Sequence, residues 1–375
     1  MKTVITTVGT SVFTNYFDEE KNNNIDTTKK EHYRSLKNKS FSEWKASENR
    51  INKLKSVISN WIKNNEDASA EIKSLKKIGE QLKDDLDVYL LTSDTILSNI
   101  AAEIIKEYFN ENKKIEIQKP RLIKKLQVNN AKDFSQEGLV NLISEIERIA
   151  NNYYENVVFN ITGGYKAVIP YMTIMAQINQ CDIYYIFEDT NALIKIPKTP
   201  IRVDYAKIEE NYDLLKELEN VVENYSKWKD ENYARIEKMT GFIEADEEIA
   251  CLSPIGKIFL SKYEQRYFTF YATDEVWAEI QQKKDIKRII KTKFCFKKQR
   301  DSQSEQKNHH LVFDDGKNQN RIFYFEENGK IYIYKVFTNH DEYERYLNRN
   351  EAPNIEIVKN RSQKIKIEKG GIKDV

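Results

Sequence analysis

Two glycine turns stand where short β-branched runs end. Gly9-Thr10-Ser11 follows KTVITTV (2–8), and Thr162-Gly163-Gly164-Tyr165-Lys166 follows VVFNI (157–161). Glycines let a phosphate approach the backbone, N–H groups opening a following helix favour an anion, and Lys166 adds positive charge. Thr92, Ser93 and Asp94 close a third run, VYLL (88–91), with side chains able to read ribose hydroxyls or base edges. There is no Walker lysine motif and no G-x-G-x-x-G, which argues against a nucleoside triphosphatase or a dehydrogenase.

A second set of residues lies toward the C-terminus. Acid–base chemistry on a phosphate ester needs a base, an acid and cations for the developing negative charge. These residue types are present. Lys297, Lys298 and Arg300 lie in a polar run, His309 and His310 head one strand, and Arg321 heads the next. His340 follows a third strand, and Tyr343 and Tyr346 begin the last helix. His309 and His310 are adjacent, so on a strand they point to opposite faces and at most one serves a shared site. Tyr324, Tyr332 and Tyr334 alternate with apolar residues and read as core and sheet surface rather than as platforms for stacked bases.

Positioning the first set requires a sheet. Strand-like runs at 2–8, 88–91, 115–118, 157–161 and 183–187 alternate with helical spacings such as Leu139, Leu142, Ile143, Ile146 and Ile149. This alternation over residues 1–205 predicts a Rossmann-like α/β fold with a mostly parallel, doubly wound sheet, closed by a hairpin to 193–196. A long charged helical insertion, about 20–85, separates the first two strands, and its residues 20–40 read as a mobile connection. Residues 206–265 are helical and highly charged, with Pro254 suited to a helix first turn. They read as a small winged-helix-like adaptor.

Residues 266–350 read as an α+β unit: a strand, a helix over 274–293, a polar loop over 297–308, three strands joined by Asp-Gly and Asn-Gly turns, and a last helix. Residues 351–375 read as a weakly structured tail in which IEIV and KIKI have strand character.

Composition sets outer bounds. Lys plus Arg total 60 against 59 for Asp plus Glu, a third of the residues are charged and two fifths are apolar. That excludes a collagen, a disulfide scaffold and a wholly disordered chain. Charge is uneven: residues 266–375 hold 23 basic and 17 acidic side chains and three of the four histidines. Cys181, Cys251 and Cys295 are scattered, with no metal-binding spacing, and fit reduced thiols in a cytoplasmic protein. No membrane span and no signal peptide are expected.

The motifs KTVITTVGTSV, LLTSDT and VVFNITGGYKAVIPYM resemble those of CARF domains, the Rossmann-like sensors of CRISPR systems, and the likeness spans about residues 1–200. It implies a homodimer that binds a cyclic oligoadenylate, with cyclic tetra-adenylate the expected ring, across its two-fold axis. By motif, ligand binding falls on Gly9, Thr10, Ser11, Thr162, Gly163, Gly164 and Lys166, together with Ser93 and Asp94. The insertion departs from the family pattern and is expected to shape dimerisation or to cover the ligand.

Effectors of such sensors often resemble HEPN or restriction-type nucleases. Arg300 and His309 are not spaced as a HEPN site on a helix, and Glu326 or Glu327 to Lys330 does not give the Glu-x-Lys of a restriction-type site. Residues 266–349 are instead similar to RelE toxins in the order of strand, helix, basic segment, meander and final helix. That resemblance implies ribosome-dependent cleavage of mRNA. Arg321 falls on the family's strand arginine, His309 or His310 near its lysines, and His340 and Tyr346 near its later Arg and Tyr. Histidines in place of lysines leave open which residue is the base and whether a ribosome is needed.

The combined reading is a cyclic oligoadenylate-activated endoribonuclease of type III CRISPR immunity. Its expected catalytic set is Arg321, His340, His310, His309, Lys298, Arg300 and Tyr346, with no metal or other cofactor. Its expected partners are mRNA, the translating ribosome and a second copy of the chain, with no membrane. The alternatives are a CARF winged-helix transcription regulator and a CARF-gated Mg-dependent nuclease.

Overall fold

The computed structural model describes residues 1–18, 25, 27–65, 67–127, 129–151, 153–187, 192–316, 319–349 and 351–370. The chain forms two compact units, one of residues 1–203 with 253–258, the other of residues 204–252 with 259–375.

The first unit is a mixed α/β fold around one sheet. Its strands are β1 (Lys2–Val8), β2 (Leu86–Thr92), β3 (Ile115–Ile117), β4 (Arg121–Leu122), β5 (Val157–Asn160), β6 (Asp182–Phe187) and β7 (Ala192–Ile196). The order is β3-β2-β1-β5-β6-β7, with β4 also paired to β2. Every pairing is parallel except β6 with β7. All four residues of β5 are buried, as expected of a parallel strand covered on both faces. Register aligns Thr7 with Leu91, Val8 with Thr92 and Thr6 with Asn160, so β1, β2 and β5 end at one edge. Strand order reverses between β1 and β5, which is where open α/β sheets place ligands.

Among the described residues between β1 and β2 are the α-helices Ser11–Tyr16, Thr27–Leu36, Trp44–Ile62 and Ala70–Leu82. The expected mobile connection over 20–40 is therefore corrected from residue 27 onward, while residues 19–24 and 26 lie outside the described residues. The reason is burial. Leu36 is fully buried, and Tyr33 stacks on Phe13 and Phe17. The helix Ala70–Leu82 is anchored most firmly. Ser69 caps it by accepting the N–H of Ile72, and Ile72, Leu75 and Ile78 are all 0% exposed. Burying each contributes about 1.5–3 kcal/mol, so this helix is not easily lifted away.

The second unit opens with the helices Tyr205–Glu210, Tyr212–Glu219 and Tyr225–Ile236 and a small sheet of β8 (Val222–Glu223), β9 (Ile243–Ala245) and β10 (Ile249–Leu252), ordered β8-β10-β9. A six-stranded sheet follows: β11 (Tyr267–Ala272), β12 (Ser304–Lys307), β13 (His310–Asp314), β14 (Arg321–Glu327), β15 (Lys330–Phe337) and β16 (Gln363–Glu368). Its order is β12-β13-β14-β15-β11-β16. Polar bonds tie the leading helices to this sheet: Tyr271 donates to Asp213, Lys330 lies 3.6 Å from Glu217, and Lys366 pairs with Glu209.

Three expectations in this unit are corrected. The polar loop over 297–308 is a helix, Lys297–Ser302, followed by β12, because Arg300 anchors the turn internally and β12 pairs in full with β13. The helix over 274–293 breaks at Lys283, whose ammonium bonds the Val336 carbonyl at 3.1 Å, and it resumes at Lys284–Ile289. Of the tail, IEIV lies in the helix Ile355–Arg361, whereas KIKI is within β16, which pairs antiparallel with all of β11. Residues 371–375 lie outside the described residues.

Alternate residues of the large sheet feed two cores. Phe313, Ile322, Tyr324, Ile333 and Val336 pack beneath the helices of residues 274–294. Val312, Phe323, Tyr334 and Phe337 pack with Tyr343 and Leu347 of the helix His340–Leu347. A register shift lets Phe323 pair with Lys335 and Tyr324 with Ile333, skipping Tyr334. This bulge keeps both Tyr334 and Phe337 on the side of the last helix although they are three residues apart.

Candidate functional site

At the edge of the first unit, the turns after β1 and β5 press together. Thr7 Oγ1 donates to the Gly163 carbonyl at 2.6 Å, and a Cβ on Gly9 would meet the Gly164 nitrogen at 2.9 Å. Gly164 has φ +91°, a conformation that only glycine adopts without strain, and a Cβ there would lie 2.6 Å from Thr7 Oγ1. The N–H of Gly9 donates to Glu71 Oε1 at 2.7 Å and the Ser11 hydroxyl to Glu71 Oε2 at 2.9 Å. Ser11 Oγ in turn accepts the Ala70 N–H. Glu71 is 1% exposed. Thus an internal carboxylate, from a helix some 60 residues away in sequence, takes the donors expected to meet a phosphate.

The remaining turn residues are also engaged internally. Thr162 donates its hydroxyl to Asn160 Oδ1 at 2.7 Å and accepts the Ile186 N–H. Ser93 Oγ lies 3.0 Å from Thr95 Oγ1, and Asp94 Oδ2 accepts the Lys125 N–H at 2.9 Å. Thr10 is half-buried, and Lys166 is exposed at the start of a short helical turn. Sequence reasoning placed the three turns at strand ends, and β1, β2 and β5 end at one edge of the sheet. It missed Glu71, because nothing local to Ser69-Ala70-Glu71 marks it as more than a helix first turn.

In the second unit, a cluster forms around Tyr343, which is 1% exposed. The Arg321 guanidinium stands 5.4 Å from its ring centroid and the Lys307 ammonium 5.3 Å. The His340 ring lies 5.9 Å away. Such cation–aromatic contacts fix charge at a partly dry surface. Arg321 is further held by Asp314 at 2.8 Å, its register partner on β13, and it donates to the Asn320 carbonyl. Lys307 pairs with Glu305 at 2.6 Å. Burial alone would lower the Lys307 pKa, but its ion pair with Glu305 and the closeness of Tyr343 outweigh burial and hold it above the usual lysine range.

The histidines separate. His310 is buried, its Nδ1 2.8 Å from the Tyr334 hydroxyl, with Phe323 and Tyr346 against its ring. Burial, then neighbouring His309, lowers its pKa, opposed by the nearby Glu351 backbone. It is therefore a neutral support for the core near physiological pH. His309 points outward and is exposed. His340 is exposed in the first turn of its helix, 3.9 Å from Glu344.

Arg300 does not join the cluster. It is 4% exposed, donates to the Phe294 carbonyl and lies over the Phe294 ring, in the core on the other face of the sheet. Lys297 and Lys298 are exposed on the same helix as Arg300. Tyr346 packs on Phe323 and Phe337. Sequence reasoning missed Lys307, which looked like one more charge in a polar run until β12 paired with β13.

Residues 66–199 match a family described as CRISPR-associated protein (Cas_APE2256). This stretch covers β2 to β7 together with the helix that carries Glu71. Among solved structures, the chain is similar to Can2 from Sulfobacillus thermosulfidooxidans in complex with cyclic tetra-adenylate. Identity is 13%, the match covers 72% of this chain and 79% of that one, and the TM-score is 0.23. No curated protein sequence matches the chain. Among the described residues no helix is long and apolar enough to cross a membrane.

Proposed function

We propose that this chain is a ligand-gated endoribonuclease of CRISPR immunity. The first unit senses a cyclic oligoadenylate, with cyclic tetra-adenylate the expected ring, and the second unit then cuts mRNA in the manner of RelE-like toxins. The observation that carries the effector half is the placement of Arg321, Lys307 and His340 around Tyr343. The match of residues 66–199 to a CRISPR-associated family and the paired turns at the reversal of strand order support the sensor half.

In this reading, a phosphate of the RNA backbone lies between Arg321 and Lys307, whose charges stabilise the phosphorane. His340 exchanges a proton with a reacting oxygen, since it is an exposed imidazole packed 5.9 Å from the Tyr343 ring that carries both cations. Tyr343 sets the spacing of the cations, and neutral His310 braces Tyr334 and Tyr346. His309, Lys297 and Lys298 serve as outer contacts to RNA, and Arg300 acts as a structural anchor. No metal enters the scheme.

The β8-β10-β9 order is consistent with a winged-helix-like adaptor in residues 206–265. The segment before its hairpin, Glu237–Phe242, is a short 3₁₀ helix with a kink at Met239, which favours an internal role over DNA reading. Two copies paired through the sensor units would supply two sets of turns to one ring. For gating, the ligand must favour the cutting-competent arrangement over the resting one.

The test is translation of a reporter in a purified cell-free system, with and without cyclic tetra-adenylate, with mRNA ends mapped by primer extension. Ligand-dependent cuts in phase with codons, absent without ribosomes, are expected. Cuts on naked RNA would revise the ribosome requirement. No cuts with any cyclic oligoadenylate would reject the effector assignment in favour of a transcription regulator.

A further inference from the structure

The donors at the end of β1 are not vacant. Gly9 N–H and the Ser11 hydroxyl each donate a hydrogen bond to a different oxygen of Glu71, so the group is bound as a two-oxygen acceptor. Ser74, three residues on and on the same face of the same helix, accepts from Asn160 Nδ2 at 2.7 Å, where β5 ends. One helix therefore stitches both turns at the reversal of strand order. Gly163 lies against this carboxylate so closely that a Cβ would fall 2.2 Å from Oε1. Glycine is needed at 163 for Glu71, before any phosphate is considered. The three apolar anchors Ile72, Leu75 and Ile78 are fully buried, so a ligand does not readily lift the helix to take its place. Among the described residues, no Lys or Arg forms an ion pair with Glu71.

We infer that Glu71 is a resident anion that closes the β1 cradle, positions Gly9, Ser11 and Gly163, and keeps the ligand's phosphates out of the Gly9–Ser11 turn. This rests on the sensor reading proposed above. A polyanionic ring then binds over the outer rim, where Thr10 and Lys166 are accessible, and it does so against the field of a buried carboxylate. Glu71 is a positioning and specificity residue: its charge weakens polyphosphate binding while its hydrogen bonds hold the turns in place.

Two measurements test this. E71Q keeps the shape and one acceptor for Gly9 but removes the charge. Cyclic tetra-adenylate is titrated into wild type and E71Q by calorimetry at low salt, with melting temperatures read alongside. E71Q is expected to bind about tenfold tighter, the scale of one unit charge acting across about 10 Å in a partly dry site. Hydrogen exchange on the wild-type chain needs no variant. Residues 69–75 should keep their protection when the ligand is added. Equal or weaker binding by folded E71Q, or loss of protection over 69–75, overturns the inference while leaving the sensor reading intact. Absence of binding of any cyclic oligoadenylate by wild type overturns both.

Discussion

Asp314 and Arg321 are register partners on β13 and β14, and their charged groups meet at 2.8 Å with the side chains 22% and 13% exposed. The carboxylate holds the guanidinium at the head of β14, and the Tyr343 ring lies beneath it. R321A is expected to lower ligand-activated RNA cleavage by about 10²–10³-fold, the usual cost of removing a charge that meets a transition state. D314N leaves the arginine in place but loosens it, and about a tenfold fall in kcat is expected. Single-turnover assays of both variants check this, and an unchanged rate for R321A would remove it from the mechanism.

Lys307 holds the second cation on the same ring. K307A is expected to lower cleavage at least tenfold, whereas K298A should change it little. If the polar segment near Lys298 were the catalytic one, the order of the two variants would be reversed in the same assay.

His310 gives a pH signature. Its pKa is lowered on folding from an ordinary value of 6.5, so the unfolded chain binds more protons below that pH. The stability that the neutral, buried ring contributes is present above about pH 6.5 and is lost as pH falls from there toward the lowered value. Thermal melts of wild type at pH 8 and pH 5 should therefore differ by more than those of H310Q. Parallel profiles for the two proteins would refute a buried neutral histidine.

G163A and G164A should both destabilise the first unit, by about 1–3 kcal/mol each, since one meets Glu71 and the other combines φ +91° with a contact to Thr7. Gly316 also has a positive φ, +72°, but a Cβ there meets nothing within 4 Å, so G316A should cost less. Denaturant melts rank the three.

Much of the first unit was legible in the chain. Buried parallel strands need continuous apolar runs such as VVFN, and crossover helices need a 3.6-residue apolar period, so strands, helices and their alternation can be read locally. The turn glycines were equally visible, because backbone conformation restricts residue type at single positions. The second unit was less so. KIKI reads alone as a weak edge segment and becomes β16 only when β11 supplies its hydrogen bonds. The bulge at Tyr334 is a matter of cross-strand register, which one strand does not carry.

The residue types able to do chemistry were thus set by the sequence itself, including Arg321, His340, the glycine turns and Lys166. Which of them meet was decided by tertiary structure. Arg300 and Arg321 are both arginines of the same unit, yet the sheet sends one into a core and the other onto Tyr343. His309 and His310 are neighbours, and strand alternation exposes one and buries the other. Glu71 reaches Gly9 and Gly163 only because the helix Ala70–Leu82 crosses the ends of β1 and β5. Contacts between residues far apart in sequence depend on how whole elements pack, and no local pattern records that packing.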